Sequence, residues 1–425
     1  MQDETSSPPI GTPAAPTRAW WRSVGPALIT ASVVLGPGSI LTSSKVGAAF
    51  GYEMVWVLIL AVGMMMVFTT IGARLGVVAS ATPCDLIAAR AGRWLAFIIG
   101  ASLFFVATTF QFGNNLGVHS AVVELFGGEH WATKYNVVWF NVASIVFIFA
   151  FKDLYRIVEK FLMVLVGVMM VAFAANLIWA FFVSVEAPRE AASAPAAVSG
   201  MSLVAVFGMV GTTFSVGGAF YQAYLVRQKG WTEKDLRQGT IDARVGITVL
   251  GLITLMIMAT SATVLRGADL KSAGDVARQL TPLFGPHGRA LFCLGLFAAA
   301  FSSFIVNAMI GGSLLADGMG LGGYMKDLWP KIFTTASLLI GMTVALVVNA
   351  RGKAPVGAIV TAQAITVIAN PLMAGAMLWL TNRRDVMGER RNGPVLNVLA
   401  AVGFAMVVVI AVRVIIVKVV PALTS

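Results

Sequence analysis

Long apolar runs follow one another along the chain, separated by short polar stretches. Each run is long enough to cross roughly 30 Å of hydrocarbon as a helix. The pattern predicts eleven spans, at 24–47, 53–79, 92–126, 135–151, 157–184, 201–227, 243–265, 286–316, 331–350, 354–381 and 394–420. The third and eighth exceed the bilayer thickness, so their ends are expected to protrude or tilt. The fold class is therefore all-α integral membrane. Residues 1–23 lie outside this pattern. They are rich in Pro, Ser and Thr and have no apolar run before Trp20, so they read as a flexible cytoplasmic tail and not as a signal peptide. Trp20 and Trp21, flanked by Arg18 and Arg22, read as an interfacial anchor.

Two spans interrupt their own pattern. The first breaks at Gly36-Pro37-Gly38 and is followed by Ser39, Thr42, Ser43, Ser44 and Lys45. The sixth carries Gly211, Thr212, Thr213, Ser215, Gly217 and Gly218 at its centre. Interrupted spans in corresponding positions of two halves mark an inverted-repeat transporter. This predicts a first repeat at 24–184, a second at 201–381, and an added span at 394–420. Unwound backbone at membrane depth is tolerated where it lines a cavity or is buried in protein, so the two breaks are expected to meet at mid-membrane around a substrate site.

Composition agrees: 58% of residues are hydrophobic, 12% are charged, and the net charge is +11. In a membrane chain such a surplus belongs to cytoplasmic loops and does not imply nucleic acid. With the N-terminus inside, nineteen of the thirty Lys and Arg fall in inner segments and nine in outer ones, Lys45 and Arg413 lying within spans. This places the protein in the plasma membrane with its N-terminus cytoplasmic and, after eleven spans, its C-terminus outside. Cys84 and Cys293 have no metal or redox spacing, and three histidines argue against a histidine metal site. No nucleophile–base pair is visible, and GPGS lacks the Gly-Lys-Ser/Thr ending of an NTPase phosphate loop, so an enzyme is not expected. No protein partner is predicted. A ligand sensor is a weaker alternative, because no soluble output segment follows the spans.

Several stretches resemble the Nramp family of divalent-metal transporters: GPALITASVVLGPGSILTSSKVGAAFGYEMVWVLIL over span 1, GSLLADG at 312–318, TAQAITVIANPL in span 10, and LTNRRDVMGERRN after it. The likeness covers nearly the whole chain after the tail. It implies a LeuT-like inverted repeat (5+5) with 11 transmembrane helices. It also implies that the family's Asp-Pro-Gly-Asn falls at Gly36-Pro37-Gly38-Ser39, and its Met-Pro-His at Ser215-Val216-Gly217. A second histidine of the family falls at Gln222, acidic residues of its proton path at Phe104, Gln111 and Asn114, and one of its glutamines at Gln363.

The metal-binding side chains are thus missing. A divalent cation needs several oxygens, or imidazole and sulfur for softer ions. The residues offered instead are Gly36, Gly38, Ser39, Thr42, Ser43, Lys45, Thr212, Thr213, Ser215, Gly217, Gly218, Gln222 and Gln363, with Gln111 and Asn114 as a polar path. Half-helix N-termini bind anions. Lys45 adds positive charge, unless it snorkels to the outer surface. These features favour a small anion, with bicarbonate as the concrete expectation; the alternative is a divalent cation, Mg²⁺ or Mn²⁺, carried in hydrated form. In this fold class a sodium site lies between spans 1 and 8, where Ser302, Ser303 and Asn307 could hold Na⁺ as coupling ion; the same residues could simply pack helices. No other cofactor is expected.

Overall fold

The computed structural model describes residues 35–128, 133, 135–150, 167–179, 182 and 200–421. The tail, the first half of span 1 and much of span 5 lie outside the described residues. Among those described, eight helices are long and apolar enough to cross a membrane.

The helices are α1 (Pro37–Phe50), α2 (Val55–Val78), α3 (Pro83–Ala91), α4 (Arg93–Leu125) and α5 (Asn136–Ala150), then α6 (Gly167–Trp179). There follow α7 (Gly200–Thr213), α8 (Val216–Gln228), α9 (Leu236–Val264), α10 (His287–Met319), α11 (Leu328–Ala350), α12 (Pro355–Thr366), α13 (Asn370–Asn382) and α14 (Pro394–Val414). Spans 1, 4 and 5 are represented by α1, α5 and α6.

Span 6 is broken where expected, between α7 and α8 at Phe214–Ser215. Gly36 is extended (φ −113°, ψ −175°), and α1 starts at Pro37, whose missing N–H costs nothing at the first helical position. Two features differ from the sequence pattern. Span 7 begins seven residues earlier than expected, since Arg237, Asp242 and Arg244 sit on turns of the same helix, started by a reciprocal Thr232–Asp235 cap. Span 10 is also broken, by a 3₁₀ turn at Val367–Ala369. Pro371 accounts for it: a proline cannot donate to the carbonyl four residues back and clashes with it.

A short helix, α3, links spans 2 and 3. Thr82 accepts from the Asp85 N–H, Pro83 opens the helix, and Gly92 closes it at φ +94°, a conformation side chains disfavour. Arg90 of α3 pairs with Asp385 at 2.5 Å. Hydrogen bonds from Arg383 and Arg90 hold the Asp385 carboxyl down at about 2. This ties the segment after span 10 to the loop between spans 2 and 3.

The long helices α4 and α10 run antiparallel along a seam of small residues. A Cβ on Gly100 would lie 2.5 Å from the Leu314 carbonyl, one on Gly311 2.5 Å from the Ala107 methyl, and one on Gly318 2.6 Å from the Ala96 carbonyl. Such small-residue seams let membrane helices approach backbone to backbone. Further along the same register, Gln111 Nε2 donates to the Phe304 carbonyl at 2.6 Å. The seam thereby carries Asn114 of α4 and Ser303 of α10 to the break of span 1.

Candidate functional site

Three broken spans meet at one place. Gln363 of α12 is its centre, nested among glycines of spans 1, 3 and 6. A Cβ on Gly38 would fall 2.5 Å from Gln363 Cδ, and one on Gly113 2.9 Å from its Nε2. One on Gly211 would fall 2.8 Å from the Gln363 carbonyl, and one on Gly208 3.5 Å from Gln363 Cβ. The amide occupies room that the absent side chains of Gly38 and Gly113 leave. It is 1% exposed, and its Oε1 has no hydrogen-bond partner. The break of span 10 touches that of span 6 directly, where Asn370 Nδ2 donates to the Phe214 carbonyl at 3.4 Å.

Gly36 faces two other spans. A Cβ there would come 2.8 Å from Ser303 Oγ and 3.2 Å from Asn114 Oδ1. Asn114 is buried and its Nδ2 is unpartnered. Asn307 Nδ2 donates to Ser303 Oγ and to the Ser303 carbonyl, each at 2.9 Å. Ser302 is buried beside them.

The remaining expected residues divide into two groups. Some spend their polar atoms within their own helices. Thr42 Oγ1 donates to the Gly38 carbonyl at 2.7 Å, Thr212 Oγ1 to the Gly208 carbonyl at 3.1 Å, and Ser215 Oγ caps α8 by accepting from the Gly218 N–H at 3.4 Å. Ser39 is buried on the first turn of α1. Ser43 and Thr213 are buried with unpartnered hydroxyls. Others pack against neighbouring spans. Gly217 packs against Leu103 and Met373, and Gln222 is buried against Gly72 of α2. Gln111 is committed to Phe304 through Nε2, although its Oε1 is unpartnered.

Lys45 corrects an expectation. It lies nine residues from Gly36, about 13 Å along the helix axis. Its Nζ donates to the Leu270 carbonyl in the loop after span 7, at 3.4 Å. It therefore does not face the break. The neighbouring Ser44 is likewise engaged, accepting from Gln279 Nε2 at 3.2 Å. Lys45→Met is expected to leave the apparent substrate affinity within ~2-fold, the scale of a substitution outside a site. Uptake kinetics in proteoliposomes check this; a loss of tenfold or more would return Lys45 to the site.

The sequence pattern did not single out Gly113, Gly208 or Asn370. The one available signal was the Asn370-Pro371 pair, which announces a third break. Among the described residues no three of His, Cys, Asp and Glu come together as a metal site.

The sequence profile described as "Natural resistance-associated macrophage protein-like" matches residues 27–417. The chain is 28% identical to a divalent metal cation transporter, MntH, of Deinococcus radiodurans, over 89% of this chain and 86% of that one. It is 24% identical to the MntH of Acidiphilium cryptum, over 92% and 90%. Its structure superposes on a mutant manganese transporter of Eremococcus coleocola with a TM-score of 0.75 at 16% identity, covering 95% of this chain and 88% of that one. It also superposes on a nucleobase-cation-symport-1 family transporter in a closed conformation, with a TM-score of 0.53 at 15% identity, covering 96% and 95%.

Proposed function

The chain belongs to the Nramp family of multi-pass membrane transporters, with their LeuT-like fold, and from that premise we propose that it carries a divalent metal cation across the plasma membrane in partly hydrated form. Its relatives in Deinococcus radiodurans and Acidiphilium cryptum are named for divalent metal cations, and that name supports the cation alternative over the anion.

One observation carries the reading. The Gln363 amide is buried at the junction of the three breaks with its carbonyl oxygen unpartnered. A buried acceptor left unsatisfied costs about 1–3 kcal/mol, and a ligand that donates hydrogens or positive charge to it removes that cost. Water in a cation's shell presents hydrogens outward, and the bare cation presents charge. The anion reading loses three of its donors. Lys45 points to Leu270, and Thr42 and Thr212 already donate to their own helices.

The absence of carboxylates decides the form of the cargo. A bare divalent ion among neutral oxygens would keep most of its desolvation cost. Mg²⁺ gives up water reluctantly and binds readily with several waters retained. A hydrated Mg²⁺ therefore suits amides and hydroxyls better than a dehydrated soft ion does. Loss of the family's methionine sulfur at Ser215 acts in the same direction, since sulfur favours transition metals.

The test is uptake into proteoliposomes of Mg²⁺, Mn²⁺ and bicarbonate in parallel. Saturable Mg²⁺ entry, with weaker or competing Mn²⁺ entry and no alkalinisation by bicarbonate, is the expected result. Bicarbonate-dependent alkalinisation with no divalent entry overturns it.

A further inference from the structure

A groove between α4, α11 and α12 belongs neither to the junction of the three breaks nor to the α4–α10 seam. Its volume is about 720 Å³, within the range of small-ligand sites. Its walls include Phe105 and Phe112 of α4, Val344 and Val348 of α11, and Gly357 and Thr361 of α12. Phe105 is 47% exposed and Ile340, which also lines it, 44%, so the groove opens on the surface these spans turn to the bilayer. Its hydroxyls are spent inside the protein. Thr108 Oγ1 shares a hydrogen bond with Ser337 Oγ at 3.1 Å, Thr109 Oγ1 donates to the Phe105 carbonyl at 2.8 Å, and Thr361 Oγ1 to the Gly357 carbonyl at 2.9 Å. Water or an ion would find no free hydroxyl there; what the groove offers is hydrocarbon surface. From Pro355 to Ile365 α12 rises about 15 Å, half of the roughly 30 Å hydrocarbon core, so the groove is one leaflet deep. Its end at the loop between spans 9 and 10 is cationic. Lys353 lines it, and Arg351 stands two residues before. Both are exposed, and among the described residues neither has an ion-pair partner. The nearby Lys271, whose carbonyl accepts from the Val356 N–H at 3.3 Å, is by contrast paired with Asp269 at 3.2 Å.

We propose that this groove binds one anionic phospholipid, an acyl chain lying along α4, α11 and α12 and the phosphate meeting Lys353 and Arg351. The two ends together name the occupant. An apolar slot one leaflet deep matches an acyl chain, and two unpaired cations at its mouth select a negative headgroup. Their stems can lie along apolar surface while the charged heads reach the phosphate level. A zwitterionic lipid fills the slot but brings no net charge to the cations. A second copy of this chain, docked symmetrically on the same face, would bring the cations of both copies into one interface with no carboxylate to offset them. The lipid bears on span 10, since Ala362 lines the groove while its neighbour Gln363 fills the junction of the breaks. The acyl chain therefore backs the broken span from the membrane side. The site is independent of which ion the protein carries.

The experiment uses the full-length protein, delipidated in detergent. The probes are phosphatidylglycerol and phosphatidylcholine with identical chains, one chain carrying a photoreactive diazirine, and the labelled peptides are read by mass spectrometry. Phosphatidylglycerol is expected to label the groove faces of α4, α11 and α12 with a preference of ~25-fold over phosphatidylcholine, about 5-fold for each cation. Arg351→Gln combined with Lys353→Gln should abolish that preference and leave phosphatidylcholine labelling unchanged. Gly357→Leu should lower labelling by both lipids, because a Cβ at that position meets no atom within 4 Å and the leucine enters the groove. Its unfolding midpoint in detergent should stay at or above wild type, since leucine favours a helix more than glycine does. Equal labelling of the groove by both lipids in the wild type, or a preference that survives the loss of both cations, overturns the headgroup assignment. Groove labelling undiminished in folded Gly357→Leu overturns the acyl seat. A dimer in detergent that Gly357→Leu dissociates makes the occupant a second copy and overturns the lipid.

Discussion

Gln363→Leu is expected to reduce Mg²⁺ uptake by ~10- to 100-fold, while the unfolding midpoint of the ion-free protein stays level or rises. Leucine nearly matches glutamine in volume, so the nest formed by Gly38, Gly113, Gly208 and Gly211 remains filled. What is lost is the amide, whose Oε1 finds no partner within the protein. A side chain that only packs would behave in the opposite way, because breaking a structural hydrogen bond lowers stability by about 1 kcal/mol or more. Here no such bond is broken. The buried amide is a stability liability kept at a functional position, and removing it exchanges function for stability. The factor follows from about 1.5–3 kcal/mol for a hydrogen bond to a charged group, at tenfold per 1.4 kcal/mol. Thermal unfolding with and without Mg²⁺, set beside initial uptake rates, separates the two readings. A lowered midpoint with unchanged uptake would make Gln363 a packing residue.

The helical membrane architecture was legible because its code is simple: apolar runs of bilayer length, polar links, and breaks at Gly-Pro-Gly and at the glycine-rich centre of span 6. Span boundaries failed where charge and helix coexist. The charged stretch before residue 243, with Arg237 and Asp242, falls outside the apolar run of span 7, yet the Thr232–Asp235 cap starts the helix before it. The site was legible in membership more than in arrangement. Gly36 and Gly38 could be named from type and position, and Asn114, Ser303 and Gln363 through the resemblance to the family and its fold, but their grouping depends on which helix faces press together. That is fixed by contacts between residues hundreds of positions apart. Lys45 shows the limit. A lysine within a span is functional by default, and only the loop carbonyl of Leu270 reveals where it points. Thr42 and Thr212 show the same limit for hydroxyls, since sequence cannot say whether a threonine donates outward or back to its own helix. The carboxylate missing at position 36 was visible at once; its physical reason, the room taken by Ser303 and Asn114, was not.

Gly72→Leu and Gly76→Leu are each expected to abolish folded protein or transport, whereas Gly63→Leu on the same helix is tolerated. The sequence GARLG puts glycines four apart on α2, and both face the backbone of α8. A Cβ on Gly72 would be driven into the Ala219 carbonyl, and one on Gly76 into the Ala223 carbonyl, closer than real Cβ atoms come. Backbone cannot move aside as a flexible side chain can. The two helices must therefore separate or one must bend, a cost at or above the upper end of the ~1–3 kcal/mol typical of overpacking. Separation would also shift α8 (Val216–Gln228), the half of span 6 that follows its break, relative to Gln363. Gly63 has no atom within 4 Å of its Cβ position, so leucine there meets only the surroundings of the helix. The three variants share helix, residue type and substituent, and differ only in what the new side chain meets. Size-exclusion profiles and unfolding midpoints of all three, read beside uptake, test this. Folded, active Gly72→Leu would show that α2 and α8 do not rely on their close approach.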